Sequence, residues 1–402
     1  MRSFFPALCA LVFFASCRDA AIPSVDRVDL FSRDIGRMED QIALYSLEGD
    51  KGLRRTDLAM RDGLFYISDG PGEKIVRYTS FGDLLFMIYN DETNPPPLTL
   101  KPRTEDSSLV TRWAFSYPLR EPGEIVVDSR KHIYAGDLLP PERHSVDAES
   151  RALLDSVILH FNSEGRFIEY LGQEGIGGSP FPRITGLYTS VRDELAVVCR
   201  LPTGWNVYWF DAAGALLYMV QLENSAVPVP PDWPGFIPSV DAIAAAPDER
   251  KLYLKVDYYH DTFDESTGTR TGNEAGASVI WIMNVDDGVY SGRVEVPMFE
   301  YASTENGRKV STQRLYSMLG VIRGGRIFLL LPIDEGYSIL ILDSDSDATG
   351  NQHRGIIRVA NDEIRFNAFD LSAEGILSGM LADDYHVKLV WWRTDRLLGA
   401  LP

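Results

Sequence analysis

The sequence predicts an all-β protein, a six-bladed β-propeller of four-stranded antiparallel blades, on the strength of three observations. A hairpin pattern, two β-prone runs around a tight turn, recurs six times along the 402 residues. Two further β-prone runs joined by a tight turn precede each hairpin. No convincing helical pattern of ten residues lies between these units. Such repetition is typical of a closed propeller, which can run to this length as one domain.

The clearest hairpin is Asp155–Gly172, in which apolar residues alternate along Val157–Phe161 and turn residues occupy Asn162–Gly165. The last copy is the weakest, because its turn lacks a glycine. The remaining hairpins are Lys74–Ile88, Asn206–Val220, Val279–Val296, Ser338–Val359 and His386–Leu401.

The strand pairs that precede the hairpins complete each blade. They are Asp57–Asp69, Glu124–Asp137, Gly186–Arg200, Ala242–Asp257, Ser317–Leu331 and Ala368–Leu381. A propeller must also join its first and last blades, since open strand edges are a liability. The segment Gln41–Ser46 has no other evident partner, so we expect an N-terminal strand there to close the last blade from outside.

Composition limits the partners that this chain can have. It is 45% hydrophobic, enough for a large core, and its net charge is −19 with no basic stripe, which argues against nucleic acid. Acidity mainly indicates a soluble, self-repelling surface. After loss of residues 1–16 only Cys17 and Cys199 would remain, so no intrachain disulfide framework is available. Cys199 lies in a β-prone run and is predicted to be a buried small hydrophobe.

The N-terminus has the layout of a secretory signal. Arg2 precedes the apolar run Phe4–Phe14, which is too short to span a bilayer. Phe14-Ala15-Ser16-Cys17 resembles the lipobox of bacterial lipoproteins, and Phe14 in place of leucine resembles the looser spirochaetal form. This resemblance implies that Cys17 is lipidated. The alternative is an ordinary signal with an incidental cysteine.

The predicted organisation is therefore a lipoprotein signal peptide at 1–16, a polar tether at 17–40 and a propeller domain at 41–402. The implied location is the bacterial cell envelope, on its periplasmic side or surface, with the membrane reached through the lipid anchor.

The second unit resembles an NHL repeat. The resemblance rests on Val127-Asp128, Ile133-Tyr134, Asp137, the turn Phe161–Gly165 and the linker Gly172–Pro182. The first unit resembles it more loosely, and later units keep only the hydrophobic rhythm and the turn. This likeness implies a scaffolding role more readily than chemistry.

Long connections are predicted to collect on one side of the disc, which we call the insertion-rich face. In propellers resembling this one, links between second and third strands and links between blades open on that side, whereas the other links open on the opposite, short-loop face. The insertions are 89–122, 138–154, 172–183, 223–239, 258–277 and 298–314. Irregular loops on a rigid scaffold are where binding sites concentrate, so this face is the candidate site. The alternative is that the insertions merely cap the channel.

Two sets of side chains are candidate ligand-binding residues on the insertion-rich face. Trp113, Trp205 and Trp233 fall in or beside the insertions and could stack on sugar or peptide, or pack as lids over a blade. Asp69, Asp137 and Asp257 end the second strands of three blades. They could converge on a cation or polar ligand at the channel mouth, or cap their own turns.

Catalytic motifs are largely absent from the sequence. The six histidines show no ligand spacing on one strand or helix, and Asp343–Asp347 starts like a calcium loop but lacks its glycine and its bidentate carboxylate. We therefore expect no catalytic residues and no cofactor, with calcium left open. The favoured function is non-catalytic binding of a protein, peptide or glycan, with an outer-membrane assembly factor as a variant of it. The alternative is a calcium-dependent hydrolase or lactonase with its site at the channel mouth.

Overall fold

The computed structural model of the chain describes most of the predicted domain. The described residues are 22–44, 55–102, 112–264, 266–305, 308–345 and 352–399. Cys17, the signal peptide and the start of the predicted tether lie outside them.

Strands account for nearly all regular structure in the first half of the chain. In chain order they are β1 (Arg27–Asp34), β2 (Thr56–Arg61), β3 (Leu64–Asp69), β4 (Lys74–Thr79), β5 (Leu84–Tyr89), β6 (Lys101–Pro102), β7 (Trp113–Ser116), β8 (Ile125–Val127), β9 (Ile133–Leu138), β10 (Ser145–Val146), β11 (Leu153–Leu154), β12 (Ser156–Phe161), β13 (Phe167–Gly172), β14 (Gly175–Ile176), β15 (Ile184–Thr189), β16 (Leu195–Arg200), β17 (Gly204–Phe210) and β18 (Leu216–Glu223).

The second half continues in the same way. Its strands are β19 (Ile237–Ala245), β20 (Lys251–Phe263), β21 (Arg270–Asn284), β22 (Tyr290–Glu295), β23 (Phe299–Glu305), β24 (Arg308–Arg314), β25 (Ser317–Ile322), β26 (Arg326–Ile333), β27 (Gly336–Asp343), β28 (Gln352–Arg358), β29 (Phe366–Leu371), β30 (Leu377–Ala382) and β31 (His386–Trp392). Short 3-10 turns occur at Pro141–Arg143, Asn224–Ala226, Asn361–Glu363 and Thr394–Leu398.

These strands form six antiparallel blades, which confirms the predicted fold class. From the channel outwards, the first five blades are β2-β3-β4-β5, β8-β9-β12-β13, β15-β16-β17-β18, β19-β20-β21-β22 and β25-β26-β27-β28. The sixth blade is β29-β30-β31-β1. Parallel strands β7 and β6 extend the first blade, and β14 extends the second.

The recurring turn between third and fourth strands has a common local cause. Thr79, Asn162 and Asp211 each start such a turn, and each side-chain oxygen accepts the amides two and four residues later. The fourth residue is a glycine in the left-handed region, with φ of 87° at Gly165 and 80° at Gly214. A side-chain acceptor followed three residues later by glycine therefore specifies the hairpin.

The core lies between blades rather than at one centre. In the described part of the chain, six clusters of buried apolar residues each join two neighbouring blades. One cluster, for example, places Trp209 of the third blade with Leu254 of the fourth. Each blade buries both of its faces against its neighbours, so the strands read as nearly continuous apolar runs.

The strand that closes the last blade is β1, and the prediction that Gln41–Ser46 would do so is wrong. Antiparallel pairing runs from Arg27 opposite Trp392 to Asp34 opposite His386. Ile42 forms only an isolated bridge, to Ile35, and is fully buried between the first and last blades. Residues 45 and 46 lie outside the described residues.

The predicted start of the folded body at residue 41 is accordingly too late, since the backbone is already paired at Val25. The error has a physical origin in β1 itself. As an outer strand, β1 buries no side chain fully and carries several charges, so its sequence looks like a polar tether. Ile42 and Leu44 look like a strand because they fill the core.

An ion-pair network fixes the closing strand. The Arg27 guanidinium donates to both carboxylate oxygens of Glu363, at 2.6 and 3.0 Å, and Lys388 Nζ donates to the same carboxylate at 2.7 Å. These hydrogen bonds lower the pKa of Glu363 to about 2, against the opposing effect of burial. The network ties the N-terminal strand to a segment more than 300 residues away.

Replacing Glu363 with glutamine is expected to lower the free energy of unfolding by about 1–3 kcal/mol at neutral pH, because two cations lose their shared anion. The folded-state pKa lies below the ordinary 4.5, so the contribution is present above that pH and is lost as pH falls towards 2. The difference between wild type and variant should therefore shrink in acid. Urea titrations at several pH values measure it.

The matched control is Glu335→Gln, which breaks the exposed pair between Glu335 and Arg358 at 3.4 Å. It should change stability by less than about 0.5 kcal/mol. Equal effects of the two substitutions would contradict the role given to the closing strand.

Candidate functional site

Connections of unequal length divide the molecule into two unlike faces, as predicted. On the short-loop face the strands are joined by brief turns such as residues 62–63 and 162–166. On the insertion-rich face, long segments such as residues 224–236 join one blade to the next. The structure thus agrees with the predicted placement of the insertions.

Two β-ribbons are the most extended features of the insertion-rich face. In the first, β20 and β21 continue past the blade, with pairs from Tyr259 opposite Ala275 to Phe263 opposite Arg270. In the second, β23 and β24 pair along their whole length within the link between the fourth and fifth blades. The first ribbon extends the fourth blade and the second follows that blade in the chain, so both belong to one sector of the face.

Asp69 caps a local loop instead of facing a ligand. It is fully buried, and its carboxylate accepts the amides of Ala43 at 2.7 Å and Gly72 at 3.0 Å. Lys74 Nζ lies 3.9 Å away and is fully buried as well. Burial raises the pKa of Asp69, and Lys74 and the two amides oppose that rise.

Asp137 has a similar role in the second blade. Its carboxylate accepts the amides of Arg120, Glu121 and Leu138 at 2.8–3.3 Å, so it organises the long link that enters the blade. Burial raises its pKa to about 7 despite these donors.

Asp257 binds a buried cation on its own strand. Lys255 Nζ donates to both oxygens of Asp257 at 2.8 Å and to Asp241 at 3.0 Å, and Lys255 is 1% exposed. The three predicted aspartates thus have separate partners. Among the described residues, no group of three or more histidine, cysteine, aspartate or glutamate side chains could hold a metal ion.

The three predicted tryptophans pack against the protein. Trp205 is 4% exposed, with the Arg200 guanidinium 4.8 Å from its ring centre. Trp113 is half-buried and donates to the Glu164 carbonyl at 2.5 Å. Trp233 is half-buried and meets the ring of Tyr258 edge-on at 5.4 Å. Their geometry is that of lids over the blades.

A large cavity lies in the central channel and opens on the short-loop face. It measures about 710 Å³ and is walled by the innermost strands of all six blades. Its mouth is formed by first-to-second strand turns, including Asp62, Pro247, Arg323 and Glu374. We call this cavity the channel cup. Sequence reasoning missed it, because it directed attention to the opposite face.

An arginine clamp lies where the first strands of three blades begin, at the insertion-rich end. Arg55, just before β2, donates Nη1 to the carboxylate of Glu124, just before β8, and to the carbonyl of Ile184 at 2.9 Å. This one side chain therefore joins the first, second and third blades. Glu124 also lines the channel cup.

Two carboxyls of the cup bridge neighbouring blades. Asp370 Oδ2 accepts the amide of Met60 at 2.9 Å, and Asp57 Oδ2 accepts the amide of Ile125 at 3.1 Å. Innermost strands are sheet edges, so these amides would otherwise lack a partner. Burial raises the pKa of each carboxyl to about 7, and the nearby charge of Glu124 adds to the rise at Asp57.

A histidine pair in the second blade was also missed by sequence reasoning. His132 Nδ1 lies 3.0 Å from His160 Nε2, and His160 Nδ1 lies 3.1 Å from Glu169. The Tyr134 ring stacks on His160 at 4.4 Å. Burial and the neighbouring His132 lower the pKa of His160, although Glu169 opposes this. The available signal was cross-strand register, since Tyr134 pairs with His160.

Comparison with known proteins finds only distant structural similarity. No protein-family model and no curated protein matches the chain. The solved polysaccharide lyase Uly1 aligns over 91% of this chain and 99% of its own, at 9% identity and a TM-score of 0.44. A putative gluconolactonase aligns over 92% and 94%, at 11% identity and 0.37. Hydrazine synthase of Kuenenia stuttgartiensis aligns over 84% and 96%, at 8% identity and 0.38.

Identities and TM-scores at this level carry no argument about the activity of this chain. Among the described residues, no helix is long and apolar enough to cross a membrane.

The double variant Asp57→Asn with Asp370→Asn is expected to change how stability depends on pH. Both folded-state pKa values are about 7, above the ordinary 3.8, so between pH 3.8 and pH 7 the folded protein binds more protons than the unfolded chain. As the pH rises through this range, wild type therefore loses stability that the variant retains. Relative to the variant, wild type should lose about 3–5 kcal/mol between pH 5 and pH 8, because both carboxyls are protonated in the folded protein at pH 5 and ionised at pH 8.

Urea titrations of both proteins across this range measure the difference. The control is Asp286→Asn, an exposed carboxylate outside the cup. Parallel curves for wild type and the double variant would show that the two carboxyls are not perturbed by burial.

Proposed function

We propose that the protein is a lipid-anchored scaffold of the bacterial cell envelope that binds a protein partner, without catalysis, through the insertion-rich face. The proposal joins two lines of support: the lipobox-like motif at Cys17 and an open strand edge on that face. The NHL-like pattern of the second blade supports a scaffolding role.

The observation that carries the proposal is the unequal pairing of β21. Its outer neighbour β22 pairs only with Val279–Met283, and the amide of Val296 reaches the carbonyl of Ser278. From Arg270 to Ala277, among the described residues, β21 has a strand partner on the β20 side only. An open edge of this length is a template for an added strand from another chain.

The side chains around this edge suit an extended polypeptide. Phe263, which pairs with Arg270 near the end of the ribbon, is 58% exposed and supplies an apolar contact. Arg270, Asn273 and Glu274 are exposed and offer polar contacts along the edge. Main-chain hydrogen bonds would provide affinity, and the alternating side chains would provide selectivity.

Binding is preferred to the calcium-dependent hydrolase for a specific reason. That alternative needs Asp69, Asp137 and Asp257 to point their oxygens at one ion. Each of the three instead accepts hydrogen bonds from amides of its own loops or from Lys255. The packed positions of Trp113, Trp205 and Trp233 likewise favour a polypeptide partner over a glycan stacked on aromatic rings.

The binding test shortens the ribbon. Residues 261–273 are replaced by Asn-Gly, which joins the paired residues His260 and Glu274 through a two-residue hairpin turn. A photo-crosslinking residue placed at position 276 in intact envelopes should capture a partner in the full-length protein. The ribbon variant should reduce that capture by at least about tenfold, because the added strand loses half of the edge, residues 270–273 of 270–277, with the hydrogen bonds it offers.

The control variant is Phe81→Ser, a side chain 87% exposed in a turn of the short-loop face. It should leave capture unchanged. Capture that survives ribbon shortening, or that is lost equally in the Phe81 variant, contradicts the proposed binding surface.

The anchor is tested separately. Cys17→Ser should move the protein from the membrane fraction to the soluble fraction and abolish its labelling by an alkyne fatty acid. The conservative change leaves the blades untouched, so thermal unfolding should not change. A variant that stays membrane-bound and labelled would remove the lipoprotein part of the proposal.

A further inference from the structure

The channel cup has the dimensions of a small-molecule site. Its volume of about 710 Å³ falls within the usual range for ligand pockets, roughly 300–1,000 Å³. Rigid strands from all six blades form its wall, so it is preformed. It opens on the face opposite to the ribbons, and it is therefore independent of the function proposed above.

The wall of the cup is apolar with a few converging charges. Met60, Val126 and Leu319 line it and remain partly exposed to it. Thr185 also lines the wall of the cup, and this residue is exposed. A ligand with an apolar body could contact these side chains.

The charges in the cup favour a cation. Asp57, Glu124 and Asp370 line its wall, and Asp62 and Glu374 stand at its mouth. Opposing them are Arg61 in the wall and Arg323, whose guanidinium lies 3.4 Å from Glu374. Three of the five acidic side chains have a cationic partner: Glu124 is bound by Arg55, Glu374 by Arg323, and Asp62 lies 3.4 Å from Lys131. Asp57 and Asp370 are the two acidic side chains left in excess.

Asp57 and Asp370 are the carboxyls of the cup that can accept further hydrogen bonds. Each uses Oδ2 to accept an amide of the neighbouring blade. Asp57 also accepts the backbone amide of Leu58. Among the described residues, no side-chain donor is bonded to either carboxyl, and both residues remain partly exposed to the cup. A carboxylate oriented by backbone amides still has lone pairs with which to accept from a ligand.

We propose that the channel cup binds a small organic cation, an ammonium group carried on an apolar body, with Asp57 and Asp370 accepting from the ammonium. The apolar body contacts the wall near Met60 and Leu319. The Arg55–Glu124 clamp closes the far end of the site.

The titration of the two aspartates adds a signature to this binding. The charges of Glu124 and Asp370 favour the protonated form of Asp57, and Tyr188 lies close to Asp57. The charge of Arg61 favours the ionised form of Asp370. A bound cation stabilises both carboxylates, so binding near neutral pH should release protons. Affinity should consequently rise from pH 6 to pH 8.

The test is calorimetric titration of the full-length protein in detergent with phenethylammonium, using 2-phenylethanol as the neutral counterpart. We expect saturable heat from the ammonium and at least about tenfold weaker binding of the alcohol. Titrations in two buffers of different ionisation enthalpy should reveal proton release. The double variant Asp57→Asn with Asp370→Asn should lose at least about tenfold in affinity and release no protons.

Two further variants keep the result interpretable if the double variant folds poorly. Thr185→Trp fills the cup without touching a carboxyl and should abolish binding. Asp286→Asn, outside the cup, should bind as wild type does. The proposal is overturned if the amine and the alcohol bind with equal affinity or if binding survives Thr185→Trp. It is also overturned if no binding is seen up to about 10 mM, a concentration at which a useful site would be occupied.

Discussion

Closure of the ring by strand β1 is the constraint on which the other features depend. A propeller blade buries both of its faces, so each blade is stable only between two neighbours. Here the outermost strand of the last blade comes from the start of the folded chain, and Glu363 holds it through Arg27 and Lys388. Pairing of residues so distant in sequence turns a row of hairpins into a closed disc.

Closure also explains where the unusual electrostatics arise. It gathers six innermost strands around a channel, and the edge of each strand that faces the channel is unpaired. Buried amides on these edges need acceptors. Asp57 and Asp370 meet that need by accepting amides of the next blade. The hydroxyl of Thr189 also bridges two blades, by donating to the carbonyl of Val127. The hydrogen bonds from the amides hold two carboxyls where water solvates them poorly, which raises the pKa of each. The channel cup is thus a consequence of the architecture.

Features set by short-range sequence patterns were predictable, whereas contacts between neighbouring blades were not. Blade number and hairpin positions were predictable because a turn such as Asn162–Gly165 carries its own acceptor and glycine. The uneven loops were predictable from spacing alone. Strand β1 was missed because an outer strand has a half-polar surface. Sequence reasoning missed Asp57, Asp370 and the His132–His160 pair because their partners lie on other strands or blades. It offered Asp69 and Asp137 as ligand-binding candidates, and in the structure both accept backbone amides.

Hydrogen exchange followed by mass spectrometry tests the closing strand most directly. If β1 holds the ring shut, the amides of Arg27–Asp34 that are hydrogen-bonded to β31 should exchange as slowly as those of its partner His386–Trp392. Both should then open in the same cooperative event as the innermost strands. Exchange of Arg27–Asp34 orders of magnitude faster than that of His386–Trp392, with the remaining blades still protected, would mean that the disc stays closed without this strand, and would contradict the account.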